Sequence, residues 1–341
     1  MTSHRTAIAL SALSLAAAFG LAGGLEAHGS APPPQGQQDG AEDGQGAVDI
    51  LAFTHGDGAR MTVPVSISGQ GPYAFLVDTG AERTVISREL AKRLALRPGT
   101  DVTVHSMTET GLVATALIPE LMVSKNKVRD VHAPALSAVD LGAAGMLGVD
   151  SLQSQRVTFD FARKTMSIRA SRGWAVDRDP NTIVVTARSH YGRLLITQAR
   201  IDGERIVVVL DTGSQISIGN EALRRKLAAR KKLGRMHPVE LISVTGGTTQ
   251  VDYTAVKRIS IGGVEIRDMP IGFANVQPFR QLRLEDRPAL LLGMDALKLF
   301  DRVSVDFARK EVRFLAPDLS AGAVAIRMAA RKSGAVAPPG I

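Results

Sequence analysis

Apolar and polar positions alternate through most of this chain with the period of strands, not helices. Residues 61–67 (Met-Thr-Val-Pro-Val-Ser-Ile) are apolar at every second position, turn at Gly69-Gln70-Gly71-Pro72 and return through 73–77. That pattern predicts a half-buried hairpin. Residues 194–201 and 206–210 predict a second one, joined at Asp202-Gly203-Glu204. Two stretches break the alternation. Residues 75–77 and 208–210 are apolar throughout, and each drives into Asp-Thr-Gly, at 78–80 and 211–213. A continuous apolar run reads as a strand buried on both faces. A carboxylate at the end of such a strand is costly to bury unless it is held for use.

Each Asp-Thr-Gly is followed, at similar distance, by an apolar run ending in glycine: 145–148 and 290–293. Each lobe then closes with Asp-Phe-Ala-Arg-Lys, at 160–164 and 306–310. Three landmarks in one order, twice, predict a duplicated unit. The expected lobes are 48–168 and 182–317, mainly β with a few short helices. Ser87 is the expected cap of one helix, and a basic helix follows the second Asp-Thr-Gly. Residues 102–117, with a tip at Glu109-Thr110-Gly111, and 239–256, with a tip at Thr245-Gly246-Gly247, predict hairpins; 259–266 predicts another around Gly262-Gly263. The linker 169–181 holds the only Trp, Trp174, expected to pack between lobes. Residues 28–47 are rich in Gly, Pro, Gln and Asp and predict a tether; 318–341 predicts a loose tail.

Composition narrows the chemistry. Cysteine is absent from the 341 residues, which excludes disulfides, thiolate metal sites and Cys nucleophiles. The histidines show no ligand spacing, so neither metal nor cofactor is expected. Net charge is +8, partly from a run between Arg224 and Arg235. Leu223, Leu227 and Leu233 punctuate it at roughly helical spacing, so it reads as a solvated helix face. No aromatic residue is interleaved with it, which argues against nucleic acid as a partner. Residues 1–27 read as an export signal, with a basic start at His4 and Arg5 and an apolar run over 7–22. The alternative is a retained single-helix anchor. The expected location is therefore periplasmic or secreted, with no stable membrane insertion once the signal is removed.

The stretch Leu76-Val77-Asp78-Thr79-Gly80-Ala81-Glu82-Arg83-Thr84-Val85 resembles the retroviral-type aspartic protease motif. Two lobes in one chain resemble the pepsin arrangement. The combination is similar to exported retropepsin-like proteases with a duplicated unit. The resemblance implies a bilobal all-β fold in which Asp78 and Asp211 hold a water between them and share one proton. It implies that Thr79 and Thr212 lock the two loops by hydroxyl to main-chain bonds, and that Gly80 and Gly213 admit the substrate backbone. It implies that Gly148 and Gly293 pack under the loops. Ala81, Glu82, Ser214 and Gln215 would line the substrate, and the hairpins carrying Gly111 and Gly246 would be flaps. The implied partner is a peptide or protein substrate, and the implied state a monomer that is an internal pseudo-dimer.

The chain departs from the family pattern in two places. Val149 and Met294 stand where the retroviral pattern has Arg, so that Arg–acid brace is expected to be missing. No Tyr lies between 102 and 117; His105, read as a partly buried strand residue, and Met107 are there instead. Only Ser214, against Ala81, could donate a hydroxyl bond to its own carboxylate, which predicts Asp211 as the base and Asp78 as the proton holder. Asp150 and Asp295 read as helix caps, and Asp160 and Asp306 as structural. The leading expectation is an exported aspartic endopeptidase. The alternative is a peptide-binding or assembly module of the same fold that cuts nothing. A glycosidase is disfavoured by an aromatic content of only 4%.

Overall fold

The computed structural model describes residues 61–171 and 182–317, plus the backbone of short strands at 7–10, 14–15, 50–52 and 325–327. Most of the expected export signal, the tether, Trp174 with its linker, and most of the tail lie outside the described residues.

The chain is mainly β and folds as two lobes of one design. In lobe one, Thr62–Ile67 and Gln70–Val77 pair as an antiparallel hairpin. Gly145–Leu147 then runs parallel to residues 75–77 on one side and antiparallel to Val85–Ser87 on the other. Lobe two repeats this with Ala289–Leu292 between Glu204–Leu210 and Ile218–Gly219. The apolar runs are therefore central strands, covered on both edges, as their unbroken hydrophobicity requires. Leu76, Val77, Val208, Val209 and Leu210 are all buried.

A helix follows each first strand pair. Arg88–Arg93 is capped by Ser87, whose side chain accepts from Leu90 N. Glu221–Ala229 is capped by Asn220, accepting from Leu223 N. Leu223 and Leu227 are buried while Arg225 and Lys226 are exposed, so this basic run is an amphipathic helix.

The repeated Asp-Phe-Ala-Arg-Lys segments form the seam. Gln155–Asp160 of lobe one pairs antiparallel with Arg302–Asp306 of lobe two, inside a six-stranded sheet contributed by both. Salt bridges cross it reciprocally. Arg156 Nε reaches Asp306 at 3.1 Å, and Arg302 Nε reaches Asp160 at 3.2 Å. Asp160 and Asp306 also accept from the Arg163 and Arg309 backbone N–H at 2.8 and 2.9 Å.

Two hairpins extend over the junction. Flap one is Val102–His105 with Thr110–Val113, and flap two is His237–Ser243 with the start of Thr248–Ile261. The tip of flap one is 106–109. Gly111 sits in the returning strand opposite Val104, not at the tip, because Ser106 closes the turn one step earlier by accepting from Thr108 and Glu109 N–H. Gly246 does sit at the tip of flap two, with a φ of +85° that favours glycine. Each flap carries an added strand on its outer edge. Ala7–Leu10 pairs in parallel with residues 240–243, and Ser14–Leu15 antiparallel with 104–105.

Candidate active site

Each Asp-Thr-Gly leaves its central strand at the junction of the lobes. Asp78 N donates to Leu147 O at 3.0 Å and Asp211 N to Leu292 O at 3.1 Å, so each aspartate is fixed by the neighbouring parallel strand. Inner oxygens are held alike. Asp78 Oδ1 accepts from Gly80 N and Ala81 N at 2.7 and 3.1 Å. Asp211 Oδ1 accepts from Gly213 N and Ser214 N, both at 3.0 Å. Both side chains are fully buried, at 0% exposure. A Cβ on Gly80 would stand 2.7 Å from Asp211 Oδ1 and 3.1 Å from Asp78 Oδ1. One methyl group would thus touch both carboxylates, and only glycine leaves the space between them open.

The two loops are interlocked by their threonines. Thr79 Oγ1 donates to Leu210 O at 3.2 Å and accepts from Thr212 N at 3.1 Å. Thr212 Oγ1 donates to Val77 O at 2.8 Å and accepts from Thr79 N at 3.0 Å. Gly148 and Gly293 lie beneath. A Cβ on either would come within 2.5 Å of a backbone carbonyl, that of Arg83 or Ile216.

Asp150 and Asp295 are not helix caps. Gly148 and Gly293 occupy those cap positions. The two carboxylates reach sideways: Asp150 takes Thr84 N and Oγ1 at 2.9 and 2.7 Å, and Asp295 takes Ser217 N and Oγ at 2.9 and 2.7 Å. They tie the chain beyond each Asp-Thr-Gly to the glycine below. Burial pushes Asp295 up to about 6, against the bonds it accepts.

Burial, first, and the charge of Asp78, second, push Asp211 well above the usual carboxylate range; Arg193 and the Ser214 and Gly213 N–H groups pull it back. Two buried acids in one dry space cannot both ionise cheaply, so the pair titrates as a unit. The expected asymmetry from Ser214 is not what the structure shows. Its hydroxyl donates to Ile216 O at 2.7 Å, not to its own carboxylate. With its hydroxyl proton given to Ile216 O, Ser214 does not make Asp211 the base through that hydroxyl.

The acid at 82 does have an arginine, but from the opposite lobe. Arg193 is completely buried. Its Nε donates to Gly80 O at 2.6 Å, and its Nη2 lies 3.6 Å from Glu82 and 3.5 Å from Gln281 Oε1. The brace expected to be missing is therefore supplied across the junction. The sequence carries a signal for it: an arginine precedes each aspartate by the same interval (78 − 60 = 18; 211 − 193 = 18). Arg60 lies outside the described residues. Gln215, counterpart of Glu82, has a buried Nε2 without a hydrogen-bond partner among the described residues.

The flaps close over the dyad by exchange. Met107, from the tip of flap one, is buried in the lobe two cluster of Val209, Ile216, Ile218 and Phe279. Val244, from the tip of flap two, is buried in the lobe one cluster of Leu76, Ala81, Val85 and Met146. Gln277 of lobe two donates to Thr110 Oγ1 at 3.2 Å. A Cβ on Gly247 would stand 2.5 Å from Thr108 Oγ1, so the two tips touch. His105 spans flap one, its Nδ1 2.8 Å from Thr110 Oγ1, and burial lowers its proton affinity.

Two like lobes, an Asp-Thr-Gly loop from each and a mutual threonine lock define a bilobal scaffold of the aspartic protease class. Residues 63–154 match the model of the gag-polyprotein aspartyl protease family, and residues 197–296 that of a second aspartyl protease family. The chain belongs to the retropepsin-like aspartic proteases, with two such domains in tandem. No curated protein matches it significantly. No group of three or more His, Cys, Asp or Glu among the described residues is placed to hold a metal ion.

Proposed function

We propose that this protein is an exported aspartic endopeptidase that hydrolyses peptide bonds with a water held between Asp78 and Asp211. The observation that carries the reading is the geometry of the dyad: two fully buried carboxylates, each with its inner oxygen fixed by two backbone N–H groups and with a glycine-wide gap between them. The pair with one proton supplies both halves of the chemistry. The ionised carboxylate takes a proton from the water, whose oxygen adds to the scissile carbonyl. The neutral carboxyl gives its proton to the carbonyl oxygen. As the resulting diol collapses, the carboxylate that gave its proton takes one back from a diol hydroxyl, the C–N bond breaks, and the proton held since the first step passes to the leaving amine.

The substrate class is extended peptide. Each flap edge takes an added strand of this chain's own backbone, which supports binding by strand addition. The apolar clusters on either side of the dyad support apolar residues flanking the scissile bond. Export rests on the apolar run at 7–22 and its basic start. Formation of the seam within one chain supports a monomer.

The test is Asp78→Asn. Peptide cleavage is expected to vanish while binding of a statine-type inhibitor or peptide persists. Wild-type protein that binds peptide and leaves it whole would instead make this a binding module.

A further inference from the structure

Arg193 is the largest fully buried side chain among the described residues, although it is the most strongly basic residue type. A buried charge is retained only where its partners offset the loss of water. Its delivery is specified locally. Tyr191 and Gly192 both have positive φ, 48° and 77°, the two-residue hairpin turn that pairs His190 with Arg193. That turn packs against Val149: a Cβ on Gly192 would stand 2.7 Å from Val149 Cγ2. The position where the family pattern places an arginine is thus the floor under the turn that brings one from the other lobe.

We propose that Arg193 is the counter-charge of the Asp78–Asp211 pair: a positioning residue, delivered by lobe two onto the loop of lobe one, that keeps the pair singly protonated where it must work. The inference rests on the peptidase reading for its purpose, but not for its physics. Burial and mutual repulsion both drive the pair toward binding a second proton, and a doubly protonated pair has no base. The guanidinium is wholly buried and bonded to the carbonyl of Gly80, the residue that lies against both carboxylates, so an opposite charge there acts with little screening. It acts on both aspartates and on Glu82, and its own proton affinity is lowered chiefly by burial.

The elements packed around this site carry other charges. Glu82 lies in salt-bridge range of Arg193. Arg83, on the same loop, acts on Asp150. Flap one brings Glu109, near Gly247, and His105; the helix Ala138–Leu141 brings Asp140, near Gly246. Arg280, on the segment carrying Gln281, is exposed and pairs with Glu285 at 3.4 Å. Arg193 is the cation that acts on Asp211.

The experiment follows the dyad by its aspartate carboxyl carbon-13 shifts and, where cleavage is measurable, by the acidic limb of kcat/KM. Arg193→Gln keeps an amide donor for Gly80 O and removes the charge. It should move the titration and the limb upward by about one pH unit or more. Arg193→Lys keeps the charge and should leave both close to wild type, even where turnover falls through loss of the Nε bond. Should Arg193→Gln not fold, Glu82→Gln carries the test with the opposite sign, since freeing Arg193 of its carboxylate should move the titration downward. A folded Arg193→Gln, or in its place Glu82→Gln, with an unmoved dyad overturns the proposal. Because the carbon-13 titration needs no turnover, a protein that cleaves nothing would overturn the peptidase reading and leave this one standing.

Discussion

Thr79→Val removes one hydroxyl and keeps the shape of the side chain. That hydroxyl does two jobs: it donates to Leu210 O at 3.2 Å and accepts from Thr212 N at 3.1 Å, both across the lobes. Thr79 is 2% exposed, so water cannot reach the groups left behind. Each orphaned buried group costs about 1–3 kcal/mol, which puts the variant about 2–6 kcal/mol below wild type. Thr212→Val removes a chemically equivalent pair, to Val77 O and from Thr79 N. Thr212, however, is only half-buried. Solvent can repair part of that loss, and the expected cost is about 1–2 kcal/mol. Urea unfolding followed by far-UV circular dichroism measures both. The informative quantity is the difference between the two sites, because pseudo-symmetry alone predicts none. A Thr79→Val protein as stable as wild type, or one no worse than Thr212→Val, would refute the view that these bonds are buried and bind the lobes together.

Met107→Ala should loosen flap one more than the protein as a whole, since the side chain leaves a lobe two cluster that stays otherwise intact. Hydrogen exchange over 102–113 should quicken while the seam strands keep their protection; unchanged flap exchange would count against the plug. Asp295 titrates near 6 in the folded state against 3.8 unfolded. A raised folded value means its contribution to stability is full below 3.8 and is lost as pH rises through about 6. The stability of wild type minus that of Asp295→Asn should therefore fall by about 2 kcal/mol between pH 4 and pH 7, and parallel stability–pH curves would rule the shift out.

The strands and their order were legible because each signal is local. Alternation, unbroken apolar runs and glycine turns mark their own segments, and the doubled landmarks tie the segments into lobes. The placement of Ser87 as a cap was legible for the same reason. What the chain concealed is what the lobes do to each other. Arg193 was not legible because the family pattern puts its brace beside Gly148, where Val149 stands, while the partner of Glu82 comes from the far half of the sequence. Met107 and Val244 lie just outside the expected tips, and nothing in their sequence neighbourhoods says that each completes the other lobe's cluster. The hydroxyl of Ser214 was assigned by adjacency to Asp211, while backbone curvature offered it Ile216 O instead. Gly111 was placed one step too far along its hairpin because Ser106 closes the turn early.

The seam between 155–160 and 302–306 joins two halves of one polypeptide. In a scaffold assembled from separate halves, the fraction carrying a complete dyad falls with dilution, because association must be driven by concentration. Here the second half is always present at the effective concentration set by the connecting chain. The paired aspartates therefore persist at one molecule per compartment, and no threshold of expression switches them on.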